Sequence, residues 1–469
     1  MRQPRPSRPD QDAAPHSTRG AVRQTPTRRD APGAALASLP VVTSAHRLRP
    51  HGVAILALAA LTVATPALAT VNPVDATVHA FARTHPDISA LVTRLDASGP
   101  VAVAAINAKE SFAPASTMKI ITSASALLTV GPDFQFTTRV EGKAPVGGVV
   151  QGPAYLIGAG DPLLSTRAFS RGYLDGAGTP IERLASNIRK SGATSISGGI
   201  IVDESLFDSR RTGPQWRSDY VWECGPLSAI ATNQGRAGKD EAHNVSLPAI
   251  AAGQRLVTAL RRVGVTVHGT IRKGENAPGG DIIGEVKSKP LSAILEFMNP
   301  ASNNFAAETL AKDVGAYAAG HGTTAAGTAQ AEKILREHDA LAPEDDLVDG
   351  SGLSHANRLS ASTLVTMLGL ATTQPEWGDA LLRSLAHGGE GTLIHRLRDP
   401  AVRNRIRAKT GYIDGVASLA GTVTSTSGER YAFAFLINDP DITAAQRTMD
   451  RAVTLLAAGA ADTSPAVSF

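Results

Sequence analysis

The sequence predicts an α+β chain in which a β-rich region is inserted between two parts of mixed structure. Three observations carry this expectation. Amphipathic or apolar stretches with helical spacing occur on both sides of the chain, at 116–130, 247–263, 303–314, 359–372 and 442–457. Residues 137–225 are instead richer in Gly and Pro, with short alternating runs such as Gly199-Ile200-Ile201-Val202-Asp203. Near the end, 416–424 alternates, Ser427-Gly428 turns, and 431–437 is apolar, which reads as an antiparallel hairpin.

Residues 1–50 hold nine arginines and three aspartates with no hydrophobic period, and are expected to be a disordered basic tail. The net charge of the 469-residue chain is +4, and this tail alone is +6, so the remainder is −2. A near-neutral body argues against a nucleic-acid partner. Residues 51–69 follow Arg47 and Arg49, run apolar from Val53 to Ala64, and end in Ala67-Leu68-Ala69. Basic flank, short apolar core and small-residue exit are the pattern of an export signal or membrane anchor. The catalytic part is therefore expected outside the cytoplasmic membrane, touching a membrane only through this segment. Cys224 is the single cysteine, which excludes a disulfide framework and a multi-thiolate zinc site. The histidines show no ligand spacing, so neither metal nor cofactor is expected.

The helix at 116–130 follows Pro114 and stops at Gly131-Pro132. The helix at 247–263 sets Leu256, Leu260 and Val263 on one stripe, and 265–271 reads as a strand. These elements suggest 70–136 and 247–469 as two parts of one domain, with 137–246 inserted between them.

Three short motifs stand in order: Ser116-Thr117-Met118-Lys119 opening a helix, Ser302-Asn303-Asn304 opening another, and Lys409-Thr410-Gly411 just before the hairpin. Residues three apart on a helix share a face, so Ser116 and Lys119 can meet. A serine hydroxyl is a weak nucleophile until a base takes its proton, and a lysine amine serves when burial and a second cation lower its pKa. Lys409 is a candidate for that cation. The chain writes 35 of its 46 basic residues as arginine, and Lys409 is the only lysine after Lys333. Ser302 and Asn304 can relay a proton and hold a substrate amide. Lys409 and Thr410 can bind a carboxylate, and Gly411 permits close approach of a bound peptide.

On these motifs the sequence resembles the D-alanyl-D-alanine carboxypeptidase/endopeptidase family, the class C low-molecular-mass penicillin-binding proteins (serine peptidase family S13). The resemblance runs over about residues 75 to 460 and includes Gly158-Ala159-Gly160-Asp161-Pro162, Asp349-Gly350-Ser351-Gly352-Leu353-Ser354 and Gly391-Thr392-Leu393. It implies a penicillin-recognising fold, an antiparallel sheet flanked by helices, with extra domains inserted between the first two motifs. It implies Ser116 as acylated nucleophile, Lys119 as its base, Ser302 and Asn304 as second motif, and Lys409, Thr410 and Gly411 as third. The backbone N–H groups of Ser116 and Tyr412 would form the oxyanion hole. Tyr412 stands where the family often has threonine, which leaves the backbone donor intact. The implied partners are peptidoglycan stem peptides, with β-lactams as covalent inhibitors.

Two other readings share the motifs. A serine β-lactamase has the same fold, but class C β-lactamases carry tyrosine at the place of Ser302. An inactive envelope scaffold would not require all three motifs intact. Cys224 is expected to be packed, Asp161 and Asp349 to shape Gly-rich turns, and His355 and Arg358 to lie on loop surface.

Overall fold

The computed structural model describes residues 72–238, 243–275, 280–439 and 441–468. The expected basic tail (1–50) and signal or anchor (51–69) lie outside them. Among the described residues no helix is long and apolar enough to cross a membrane.

The main body is built on a five-stranded antiparallel sheet in the order Ile406–Ile413, Val416–Thr424, Arg430–Ile437, Ile88–Asp96, Gly99–Ile106. The first strand of the chain thus pairs with the last, Ile88 opposite Ile437 and Arg94 opposite Tyr431. The period of two along Arg430–Ile437 explains the layers. Tyr431, Phe433, Phe435 and Ile437 point into one core, closed by helices Pro73–Ala82 and Ile442–Ala457. Ala432, Ala434 and Leu436 point into the other, against helices Met118–Val130 and Ala361–Ala371. Aromatic side chains fill the first layer, and small alanines let Ala361–Ala371 lie close on the second.

The strand Ile406–Ile413 joins its neighbour through a two-residue turn, Asp414-Gly415, with Ile413 paired to Val416 and Gly415 at φ +71°. This edge strand carries the third motif. Asp-Gly between apolar runs is a strong hairpin signal.

The inserted part has its own sheets and core. One sheet runs Ile271–Lys273, Ile200–Asp203, Ala154–Ile157, Thr137–Gly142, Asp281–Lys287, parallel across the first three strands and antiparallel beyond. Helices Ile181–Lys190 and Pro248–Arg262 bury Leu184, Ile188, Leu256 and Leu260 against it. Pro248–Arg262, expected in the second part of the main domain, packs its apolar stripe on the sheet of the insertion. Periodicity gave the helix but not its partner. The expected strand at 265–271 is two, Thr266–Val267 and Ile271–Lys273, in different sheets. They are split at Gly269, where an added Cβ would meet the Gly199 nitrogen at 2.4 Å.

Where the insertion meets helix Asn304–Ala319, Gly160 (φ +77°) lies against Asp313, whose carboxylate oxygens have no hydrogen-bond partner. Burial raises the Asp161 carboxyl to about 6. Burial and then the Asp161 charge push Asp313 well above the ordinary carboxyl range. The folded chain keeps protons here that the unfolded chain releases, so stability is lost as pH rises through 4 to 6 and beyond. Asp313→Asn is expected to raise the melting temperature by about 2 °C at pH 8 and to leave it unchanged at pH 4, by thermal unfolding.

Candidate active site

Ser116 sits in a 3₁₀ turn, Ala115–Thr117, at the mouth of helix Met118–Val130. The turn is tight: Ala115 has φ +47°, and the Pro114 carbonyl accepts from Thr117 Oγ1 at 2.7 Å and from Ser418 Oγ at 2.6 Å. One turn on, Lys119 is fully buried and its Nζ makes three contacts. They are Ser116 Oγ at 2.8 Å, Asn304 Oδ1 at 2.7 Å and the Ser351 carbonyl at 2.7 Å. The first two motifs therefore meet at one amine.

Ser302 ends helix Leu291–Ala301 in the left-handed region, φ 52° and ψ 41°, and its neighbour Asn303 caps helix Asn304–Ala319 by accepting from Ala306 N at 2.8 Å. The sharp turn between the helices aims Ser302 at the sheet edge. There Lys409 Nζ donates to Ser302 Oγ at 2.9 Å and to the Thr410 carbonyl at 2.8 Å, while Thr410 Oγ1 lies 2.6 Å from Thr392 Oγ1. Gly411 makes room for the serine turn itself. A Cβ there would stand 2.0 Å from Ser418 Oγ and 2.9 Å from Ser116 N, so the close approach expected for a bound peptide is made to the protein's own backbone. Tyr412, next along the strand, is 62% exposed at the rim.

Burial lowers Lys119 to about 8, against the charges of Asp349 and Glu308, which hold it up. Lys409 is lowered further, by burial and then by Lys119. Burial is thus the largest cause at both amines, and the two like charges disfavour each other.

Glu308 was absent from the expected site. It stands one turn beyond Asn304, fully buried, with Oε1 accepting from Ser351 N at 2.7 Å and Gly350 N at 3.1 Å. It thereby sets the Ser351 carbonyl on Lys119. The spacing of four from Asn304 is the signal that would have found it. Burial and then the Asp349 charge raise the Glu308 carboxyl to about 8, so it gains its negative charge only as pH approaches that value; Glu308→Gln keeps an acceptor for both N–H groups but removes that charge and its support of the Lys119 ammonium. It is expected to move the pH at half-maximal acylation downward, whereas Glu308→Ala loses up to about 10²-fold at every pH. Both are read from the pH profile of penicillin labelling.

Asp349 shapes its turn, accepting from Gly352 N at 2.7 Å, Ser354 N at 2.7 Å, Asn357 Nδ2 at 2.9 Å and Trp216 Nε1 at 2.8 Å. Gly352 (φ +83°) presses on Ala115, with an added Cβ 1.8 Å from its carbonyl oxygen. A segment of the insertion also walls the site. Tyr220 OH pairs with His355 Nε2 at 3.1 Å, and the Glu223 carbonyl accepts from Asn304 Nδ2 at 3.1 Å. Cys224 is buried beside Ala115 and Phe305, and burial pushes its thiol well above the ordinary range. The Arg358 guanidinium donates to the His355 and Asn357 carbonyls, both at 2.9 Å.

A Ser–Lys pair at a helix mouth, beside the edge of an antiparallel sheet packed on both faces by helices, is the architecture of the penicillin-recognising serine hydrolases. The sequence matches the D-Ala-D-Ala carboxypeptidase 3 (S13) family over residues 74–237 and 229–459, and the chain belongs to that family. It is 29% identical over 412 residues to a D-alanyl-D-alanine carboxypeptidase of an Actinomadura species, covering 70% of this chain and 74% of that one. It is 32% identical over 376 residues to the carboxypeptidase DacB of Mycolicibacterium smegmatis, covering 78% of this chain and 80% of the relative. Its fold matches that of penicillin binding protein 4 (dacB) from Haemophilus influenzae with a TM-score of 0.67 and 22% identity, over 80% of this chain and 98% of the other. The chain is a serine-type hydrolase of the D-Ala-D-Ala peptidase class.

Proposed function

We propose that Ser116 is the residue acylated when this peptidase cleaves D-Ala-D-Ala ends of peptidoglycan stem peptides, and when β-lactams inhibit it. The observation that carries the reading is Lys119 Nζ, buried and 2.8 Å from Ser116 Oγ. Lys119 takes the hydroxyl proton as Oγ attacks the penultimate D-Ala carbonyl. The backbone N–H groups of Ser116 and Tyr412 receive the developing oxyanion. The peptide C–N bond then breaks, and the proton held on Lys119 is relayed through Ser302 to the departing D-Ala amine, which leaves Lys119 neutral again to take a proton from the incoming water. Asn304 holds the substrate amide, while Lys409 and Thr410 hold its terminal carboxylate. Water attacks the acyl-enzyme and frees Ser116.

We place this chemistry outside the cytoplasmic membrane, with residues 51–69 serving as signal or anchor. N-terminal sequencing of the exported protein is expected to give a start near Thr70 if the segment is cut. Recovery of active protein from cytosol alone would overturn the location.

Incubation with a fluorescent penicillin, followed by mass spectrometry of tryptic peptides, tests the site. A lasting adduct on the Ser116 peptide is expected. Rapid β-lactam turnover without an adduct would make the chain a β-lactamase, and absence of both would make it a scaffold. Tyrosine's absence at position 302 favours the peptidase.

A further inference from the structure

An open cleft of about 730 Å³, lined by no residue of the three motifs, lies where the insertion joins the main body. Its walls carry Arg167, Arg171, Arg183, Lys287 and Lys289, against one carboxylate, Glu285. All five cations are exposed. Among the described residues none of the five makes a side-chain ion pair or hydrogen bond, whereas Arg94, Arg211 and Arg396 are each paired with a carboxylate. Glu182, the nearest acid in sequence to Arg183, is occupied by the Arg167 backbone N–H, at 3.1 Å and 3.2 Å.

A net excess of four cations in one concavity is conspicuous on a body whose sequence beyond residue 50 totals −2. Like charges gathered without partners repel one another and cost stability, which a bound polyanion reverses. One substrate carboxylate neutralises a single cation, so the cleft fits an anion repeated along a chain. Arginine forks suit phosphate oxygens, which accept two parallel N–H bonds. Among the described residues no aromatic side chain lines the cleft, so they offer no stacking platform for the bases of a single-stranded nucleic acid.

We propose that this cleft binds a phosphodiester polymer, holding the peptidase along a phosphate-bearing envelope polymer while the active site takes stem-peptide ends. The envelope as source rests on the export reading; the binding itself does not.

The test uses the full chain and fluorescent poly(glycerol phosphate), followed by anisotropy over a salt series. Binding is expected to weaken with salt, and Arg171→Glu/Arg183→Glu is expected to weaken it by about tenfold or more with a shallower salt slope. Penicillin labelling of Ser116 should be unchanged in that variant, which also shows that it folds. If labelling is lost, Lys287→Gln/Lys289→Gln gives the same comparison without charge reversal. Residues 1–50 carry nine arginines and are identical in all these proteins, so tail binding would leave wild type and variants equal and overturn the proposal. Equally tight binding of poly-glutamate of matched charge would overturn phosphate recognition. Failure of penicillin labelling in the wild type would sink the active-site reading and leave the cleft's binding curve to be judged alone.

Discussion

Lys119→Gln is expected to slow acylation by penicillin about 10²–10⁴-fold and to erase the alkaline rise in its pH profile. The geometry around Nζ gives the reason. Asn304 Oδ1 and the Ser351 carbonyl are acceptors only, at 2.7 Å each, so a neutral amine spends its two N–H bonds on them. Its lone pair is then left facing Ser116 Oγ at 2.8 Å, which is the orientation a base requires. With burial lowering the amine to about 8, the base form grows as pH rises toward that value and the rate should follow it to a plateau. A glutamine amide can supply the same two N–H bonds, so the loop and the helix mouth stay in place. It has no basic lone pair. A Lys119→Gln enzyme that kept both its rate and its pH limb would show that another group takes the serine proton.

The site was more legible than the scaffold around it. Ser116 and Lys119 share a helix face by local spacing, and spacing is what a sequence displays. Their meeting with Asn304 depends on a contact across 185 positions, which the ordered motifs implied only through resemblance. Glu308 escaped because a buried glutamate on a helix reads as a surface residue until its partners, the N–H groups of Gly350 and Ser351, are known. The strands Ile88–Asp96 and Gly99–Ile106 escaped because both faces of the sheet are buried, so the apolar residues do not alternate with polar ones. Pro248–Arg262 shows the converse case. Its amphipathic stripe fixed the helix, yet the same stripe can cover either body, and only the fold decides that it covers the insertion.

Lys409→Arg is expected to lose at least about 10²-fold in D-Ala release from a peptide ending in D-Ala-D-Ala, and to acylate slowly with penicillin. If only positive charge mattered here, arginine would serve, as it does at most cationic positions of this chain. Three features of the site say otherwise. Lys409 is 1% exposed, so a guanidinium must displace packed neighbours, at a cost of about 1–3 kcal/mol and with a shift of the strand that also carries Tyr412 N. Its Nζ is shared between Ser302 Oγ at 2.9 Å and the Thr410 carbonyl at 2.8 Å, a geometry for a compact amine and not for a planar fork. Finally, burial and then Lys119 hold the Lys409 amine well below its ordinary pKa, a response to the site that a guanidinium does not share. Arginine stays charged throughout. Its permanent charge would press on Lys119 and favour the neutral amine there, so the pH limb of residual activity should move down while the rate falls. That combination, a lower midpoint with a lower plateau, separates misplacement at Lys409 from simple loss of folding, which lowers the plateau and leaves the midpoint near 8. Turnover near wild type in Lys409→Arg would make position 409 a plain cation and remove it from the reaction.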